Sequence, residues 1–162
     1  MSLKKEQALA LVRISLGLIF LWAFIDKLFG LGFTTAADKS WLLGNSPTYG
    51  FLAKGVHGPF ASVFNAMAGS ALVDWLFMIG LLCIGIALIL GIGMRIATYS
   101  GALLMVLMWL ATLPPEHHPF LDEHVIYALT LIALMKVNAG QTWGFGKQWS
   151  RAKLVKRNPW ME

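Results

Sequence analysis

The run ALALVRISLGLIFLWAFIDKLF, residues 8–29, decides the architecture of this chain. Its length matches the roughly 20 residues that a helix needs to cross the hydrocarbon layer of a membrane. Its only charges are Arg13, Asp26 and Lys27, and the last two sit near its end. A signal peptide would carry a shorter apolar core followed by a small-residue cleavage site. This run is longer and has no such site at its end, so it is expected to be retained as a first span over 7–29.

Three similar runs follow. Ser70, a residue type favoured at helix N-caps, opens a second helix expected over 70–93. A third, over 96–113, is stopped by Pro114-Pro115, which cannot continue a helix. A fourth, over 119–137, would begin at Pro119, a favoured first-turn residue, and end before Asn138 and Gly140. Strands are disfavoured, because a sheet edge facing lipid leaves backbone groups unpaired. The expected fold is therefore an all-α integral membrane protein. It is a single domain, a four-transmembrane-helix bundle with a basic tail over 138–162.

Composition supports lipid as the solvent. The chain has 162 residues, 57% of them apolar and 13% charged. An ordinary soluble domain holds about 25% charged residues. The net charge of +5 comes mainly from basic residues that flank the apolar runs and alternate with Trp. That pattern fits anionic headgroups better than nucleic acid, which is not expected as a partner. The single cysteine, Cys83, excludes an intrachain disulfide and any dithiol mechanism within one chain; it is expected to be a small buried hydrophobe.

Residues 31–69 are too many for a bare loop and too apolar for a disordered one. From Pro59 onward, Phe60, Val63, Phe64 and Met67 recur at helical spacing, which predicts a short amphipathic helix. The segment is expected to form surface helices over the ends of the spans, as a lid. Eight basic residues (Lys4, Lys5, Arg95, Lys147, Arg151, Lys153, Lys156 and Arg157) fall on one side of the expected topology, and two, Lys39 and Lys54, on the other. The positive-inside rule then places both termini in the cytoplasm and the long segment outside. Trp143, Trp149 and Trp160 fall on the basic side, as an interfacial belt requires.

Ionisable groups inside spans are costly, so each is a candidate for function. Arg13 and Lys27 lie on one face of the first helix with Gly17, Phe20 and Phe24, about 21 Å apart along the axis. Snorkelling towards the headgroups is the competing explanation for Lys27 in particular. Asp26, Lys27 and Asp74 converge on the outer side with Glu116, His117, His118, Asp122, Glu123 and His124. The helix dipole accounts for Asp122 and Glu123 in a first turn, but it asks for no histidines. Histidine beside carboxylates at a membrane surface can handle protons near neutral pH. Lys27, Glu123 and His124 are therefore the candidate catalytic residues, and Asp26, Lys27, Asp74 and His118 the candidate pocket for a quinone or anion. His117, His118, Asp122 and His124 match no compact metal-ligand spacing, and no haem or nucleotide motif is present, so no metal site is expected.

Several of these residues also recur in a familiar order. Arg13-x3-Gly17-x2-Phe20 leads to Phe24-Ile-Asp-Lys-Leu-Phe-Gly30. Gly85-x2-Leu88-x-Leu90-Gly91-x3-Arg95, Asp122-Glu-His-Val-Ile-Tyr127 and Gly140-x2-Trp143-Gly follow in turn. Together they resemble the DoxX family, in particular its DoxD-like branch, over roughly residues 13–149. The resemblance implies a four-helix membrane fold in a prokaryotic plasma membrane. It also implies kinship with the large membrane subunit of thiosulfate:quinone oxidoreductase, which passes electrons from thiosulfate to quinone alongside a small DoxA subunit. No DoxA-like portion is visible here. The expected function is that of a membrane subunit of a redox assembly, with quinone as cofactor and with lipids and another membrane or redox subunit as partners. The alternative is a non-catalytic accessory or scaffold subunit.

Overall fold

The computed structural model describes residues 3–162, and among these every regular element is helical. Three helices are long and apolar enough to cross a membrane: α1 (Lys5–Phe29), α3 (Ala71–Leu90) and α4 (Met94–Ala111). Between the first two lie short turns at Ala37–Lys39, Trp41–Leu43 and Phe51–Gly55 and the brief helix α2 (Ala61–Asn65). Helix α5 (Glu123–Lys136) is followed by α6 (Gly146–Arg151) and α7 (Lys153–Arg157).

Residues that the sequence places inside the spans divide cleanly into two sets. Leu16, Phe20, Leu81, Ile84, Leu88, Met105, Leu131 and Leu134 form the buried core. Leu18, Ile19, Leu72, Leu76, Ile79, Leu103 and Leu107 face outward. A water-soluble protein rarely exposes so continuous an apolar surface, so lipid is the solvent that this face fits. Cys83 lies on the exposed side of α3 and is not the buried residue expected from its apolar surroundings.

Small residues set the helix spacing. A Cβ on Gly17 would come within 2.9 Å of Leu88, and one on Gly85 within 2.8 Å of the Leu21 backbone. Helices α1 and α3 thus touch backbone to backbone, the arrangement that small residues permit between helices in lipid. Gly80 has open space beside it and plays no such part. Helix α4 packs on α5 through Gly101 against Leu131, and Thr98 Oγ1 donates to the Leu131 carbonyl at 3.2 Å.

The element that ties these helices together is Arg13, which is fully buried. Its guanidinium donates to the Leu88 carbonyl, to Ile89 O at 2.9 Å, to Thr142 O at 3.0 Å and to Trp143 O at 2.9 Å. The last carbonyls of α3 have no partner within the helix and need one. Arg13 supplies it for Leu88 and Ile89, Phe145 N does so for Leu90 at 2.7 Å, and Gly91 and Ile92 N–H close on Ala87. Gly91 has φ 69°, and a Cβ there would meet Gly140 O at 2.6 Å and Arg13 at 2.9 Å. A cation at a helix C-terminus is favoured by the helix dipole as well as by the hydrogen bonds.

Several boundaries differ from the sequence reading, among them the start of α5 and the end of α4. Helix α5 begins at Glu123, not at Pro119. His118 Nδ1 accepts from Phe120 N and Leu121 N, which bends the chain, and Asp122 then caps the helix by accepting from Val125 N at 3.2 Å. Helix α4 stops at Ala111, ahead of Pro114-Pro115, which offer no N–H to the Leu110 and Ala111 carbonyls; His57 N donates to Ala111 O at 3.1 Å instead. The amphipathic helix expected from Pro59 shrinks to α2, which packs on the Phe51–Gly55 turn. Phe64 and Met67 line a cavity, but Met67 is exposed along with Phe60 and Val63.

Replacing Arg13 by Met should leave buried carbonyls unpaired at about 1.5–3 kcal/mol each for hydrogen bonds to a charged donor. The midpoint of thermal unfolding in detergent should fall sharply. Arg13→Lys, with one ammonium to reach two separate pairs of carbonyls, should recover only part of the loss. An unchanged midpoint for Arg13→Met would remove Arg13 from its organising role.

Candidate functional site

At the end of the molecule opposite Arg13, two buried aspartates hold the segment between α1 and α3. Asp26, 1% exposed, accepts from Phe33 N at 3.2 Å, Thr34 N at 2.9 Å and Thr34 Oγ1 at 2.6 Å. Asp74, 6% exposed, accepts from Ser46 Oγ at 2.8 Å, Thr48 Oγ1 at 2.5 Å and Thr48 N at 3.3 Å. A third attachment lies at α4, where Gly58 sits so close to Leu113 O that a Cβ would come within 1.6 Å. The segment 31–69 is therefore fixed to the ends of α1, α3 and α4.

Two connected spaces lie at this end. One is a groove of about 730 Å³ walled by α1, α3, α4 and α5, through Phe20, Trp22, Phe77, Leu104 and Met105. Its polar groups are few: Asp26, Lys27, Thr34, His124 and Tyr127. The other, about 1040 Å³, lies beneath the 31–69 segment and shares Lys27, Thr34, Phe77, Leu104 and Met108 with the first. An apolar cleft with a few convergent polar groups is the usual form of a site for a small molecule.

Lys27 is partly buried on the wall between the two spaces. Its Nζ donates to Thr34 Oγ1 at 3.3 Å, and that hydroxyl in turn donates to Asp26. Lys27 makes no ion pair within 4.0 Å among the described residues, so its link to Asp26 runs through Thr34. His124 is shielded, with its side chain 16% exposed, and its Nδ1 lies 2.8 Å from Asp122 Oδ2. Nδ1 faces Asp122, so Nε2 is the ring nitrogen left without a partner among the described residues.

Of the residues singled out in the sequence, Asp26, Lys27 and His124 meet at the groove. Asp74 holds Ser46 and Thr48, and His118 shapes the turn before α5 from an exposed position; neither lines the groove. The Glu123 side chain is exposed and makes no hydrogen bond among the described residues. Asp122, Glu123 and His124 present ligand atoms within 4.8 Å of one another, but both Asp122 oxygens are already engaged, by Val125 N and by His124. Thr34 and Tyr127 were not anticipated. Thr34 belongs to a Thr-Thr pair just past Gly30 and Gly32, and only the return of the chain onto Asp26 gives it a role.

Compared with family models, curated proteins and solved structures, the chain matches none.

The two aspartates can be tested separately. Asp74→Ala should raise amide exchange at residues 46–49 by about tenfold or more, since a hydrogen bond to a charged group contributes roughly 1.5 kcal/mol or more. Exchange at residues 33–34 should stay as it was, and Asp26→Ala should do the reverse. Equal loosening of both regions by either change would mean that the segment is not held at separate points.

Proposed function

We propose that this protein is a four-span subunit of a membrane redox assembly, akin to the DoxX family, and that the groove beside Lys27 and His124 receives a quinone. The observation that carries the proposal is the groove itself: apolar along its walls, with an ammonium, a hydroxyl and an Asp-supported imidazole at one end. That division fits an amphiphile with an apolar tail and a head bearing hydrogen-bond acceptors. Exposed Leu18, Ile19 and Trp22 carry the wall onto the lipid-facing side of α1, which supports entry from the bilayer.

A quinone accepts two electrons and two protons when it is reduced. The electrons would come from a partner subunit, since the sequence carries no haem, metal or nucleotide motif. Lys27 would donate a hydrogen bond to a head-group oxygen and favour negative charge there. His124 Nε2 would pass a proton to that end of the groove, with Asp122 holding the ring through Nδ1. Glu123, exposed beside it, would draw the replacement proton from water. A non-catalytic accessory subunit is the second reading. It is favoured by the engagement of Asp26 and Asp74 in holding the loop segment.

The fourth span is α5, although its 14 residues cover only about 21 Å. Its first turn reaches the groove through His124, and the chain just after it meets Arg13 through Thr142 and Trp143. It therefore runs between the same two ends as α1. Ile126, Leu129 and Ile132 point outward as lipid-facing residues would. A short span is accommodated by local thinning of the bilayer and by snorkelling of flanking residues such as Lys136. Four crossings would put both termini on one side, and the excess of basic residues supports assigning that side to the cytoplasm.

A reporter active only outside the cytoplasm, fused to the C-terminus, should give no signal; a strong signal would reverse the orientation. Gentle purification from native membrane should yield quinone with the protein. Lys27→Met should reduce the retained quinone by about tenfold, the loss of one charge-assisted hydrogen bond. His124→Gln should lower turnover of the assembled complex by about 100-fold, the lower end for general acid–base catalysis, with less effect on retained quinone. Full turnover in well-assembled variants of both residues would refute the catalytic roles.

A further inference from the structure

A second groove, of about 750 Å³, lies at the opposite end of the molecule, between the first turns of α4, the last turn of α5 and the segment that follows. Arg95, Tyr99, Lys136, Trp149, Trp160 and Glu162 line it, and the Lys27 site uses none of them. We propose that this groove binds the headgroup of an anionic phospholipid, with the phosphate between Arg95 and Lys136.

The placement suits that ligand. The groove lies where α3 ends, α4 begins and α5 ends, which is the depth of the headgroups for helices of this length. Trp149 Nε1 donates to Met161 O at 2.7 Å, which fixes one aromatic wall, and Tyr99 and Trp160 are exposed at the rim, as interfacial aromatic residues are. The Arg95 guanidinium is held by Pro159 O at 3.0 Å. Its other contact is an exposed ion pair with Glu162 at 3.4 Å, a weak interaction that a phosphate can replace. Lys136 has no partner within hydrogen-bond or ion-pair distance among the described residues and is exposed on the groove wall.

The charge pattern of the chain decides between an anionic and a zwitterionic headgroup. Six basic residues (Lys136, Lys147, Arg151, Lys153, Lys156 and Arg157) lie between Glu123 and Glu162, with no acid among them. Basic clusters at the end of a span attract anionic lipids, at a level worth about fivefold in occupancy per residue near the surface. Ile96, exposed one residue beyond Arg95, would lie along the acyl chains. Glu162 is then a competitor for Arg95, which gives the proposal a distinctive sign.

The test uses the purified full chain, delipidated and returned to nanodiscs of phosphatidylcholine with about one fifth phosphatidylglycerol, with retained lipid counted by native mass spectrometry. Phosphatidylglycerol should be retained in preference to phosphatidylcholine. Lys136→Gln, which breaks no hydrogen bond of the fold, should reduce that retention about fivefold. Glu162→Gln should increase it, and Lys54→Gln, at the other end of the molecule, should leave it unchanged. Equal retention of the two lipids, or an unaffected Lys136→Gln, would overturn the proposal. So would an equal loss in Lys54→Gln, and so would full displacement of the lipid by inorganic phosphate alone.

Discussion

One buried guanidinium, that of Arg13, meets four backbone carbonyls drawn from the end of α3 and from the chain after α5. A charge within a membrane span is expensive unless it is paired or fully hydrogen-bonded. Among the described residues no carboxylate pairs with this one and its Nε has no partner; the oriented carbonyls at the end of α3, together with those of Thr142 and Trp143, take up the two terminal nitrogens. The contact closes one end of the molecule. The helices are drawn together there, with Gly17 against Leu88 and Gly91 against Gly140, at separations that leave no room for a side chain.

The other end is held differently, and the difference creates the site. Asp26 and Asp74 each gather a stretch of the 31–69 segment through hydroxyls and amides, so the polar contacts run from helix end to loop and not from helix to helix. Helices α1 and α5 are left apart at this end, and the groove with Lys27 and His124 opens between them. A tight end and an open end in one set of helices suit a protein that takes up a ligand from the bilayer without coming apart. Arg13 holds the helices together at one end, and the groove lies open at the other.

The parts legible in the sequence were those set by solvent and by backbone stops. Long apolar runs mark α1, α3 and α4, and Gly91 and the Pro114-Pro115 pair limit α3 and α4 to within a few residues. The start of α5 was misplaced because Pro119 carries a helix-start preference of its own, while His118 and Asp122 act through three-dimensional hydrogen bonds. Arg13 was marked by its depth and its glycine-bearing face, but its partners are carbonyls, which leave no signature in side-chain identity. Lys27 was expected to converge with Asp26 on the outer side, and the link between them runs through Thr34, eight residues past Asp26, because the chain turns back on itself there. Cys83 shows the limit of hydropathy: an apolar run gives the solvent but not which side of the helix faces it.

The central claim is that an amphiphile occupies the groove between α1 and α5 with its head at Lys27 and His124. A photoreactive quinone, its label on the head group, offers the most direct measurement. Irradiated with the intact protein in lipid and mapped by peptide mass spectrometry, it should mark residues near Lys27, Thr34, His124 and Tyr127, and excess unlabelled quinone should suppress the labelling. Labelling spread along the outward faces of α3 and α4, or undiminished by the competitor, would contradict the account.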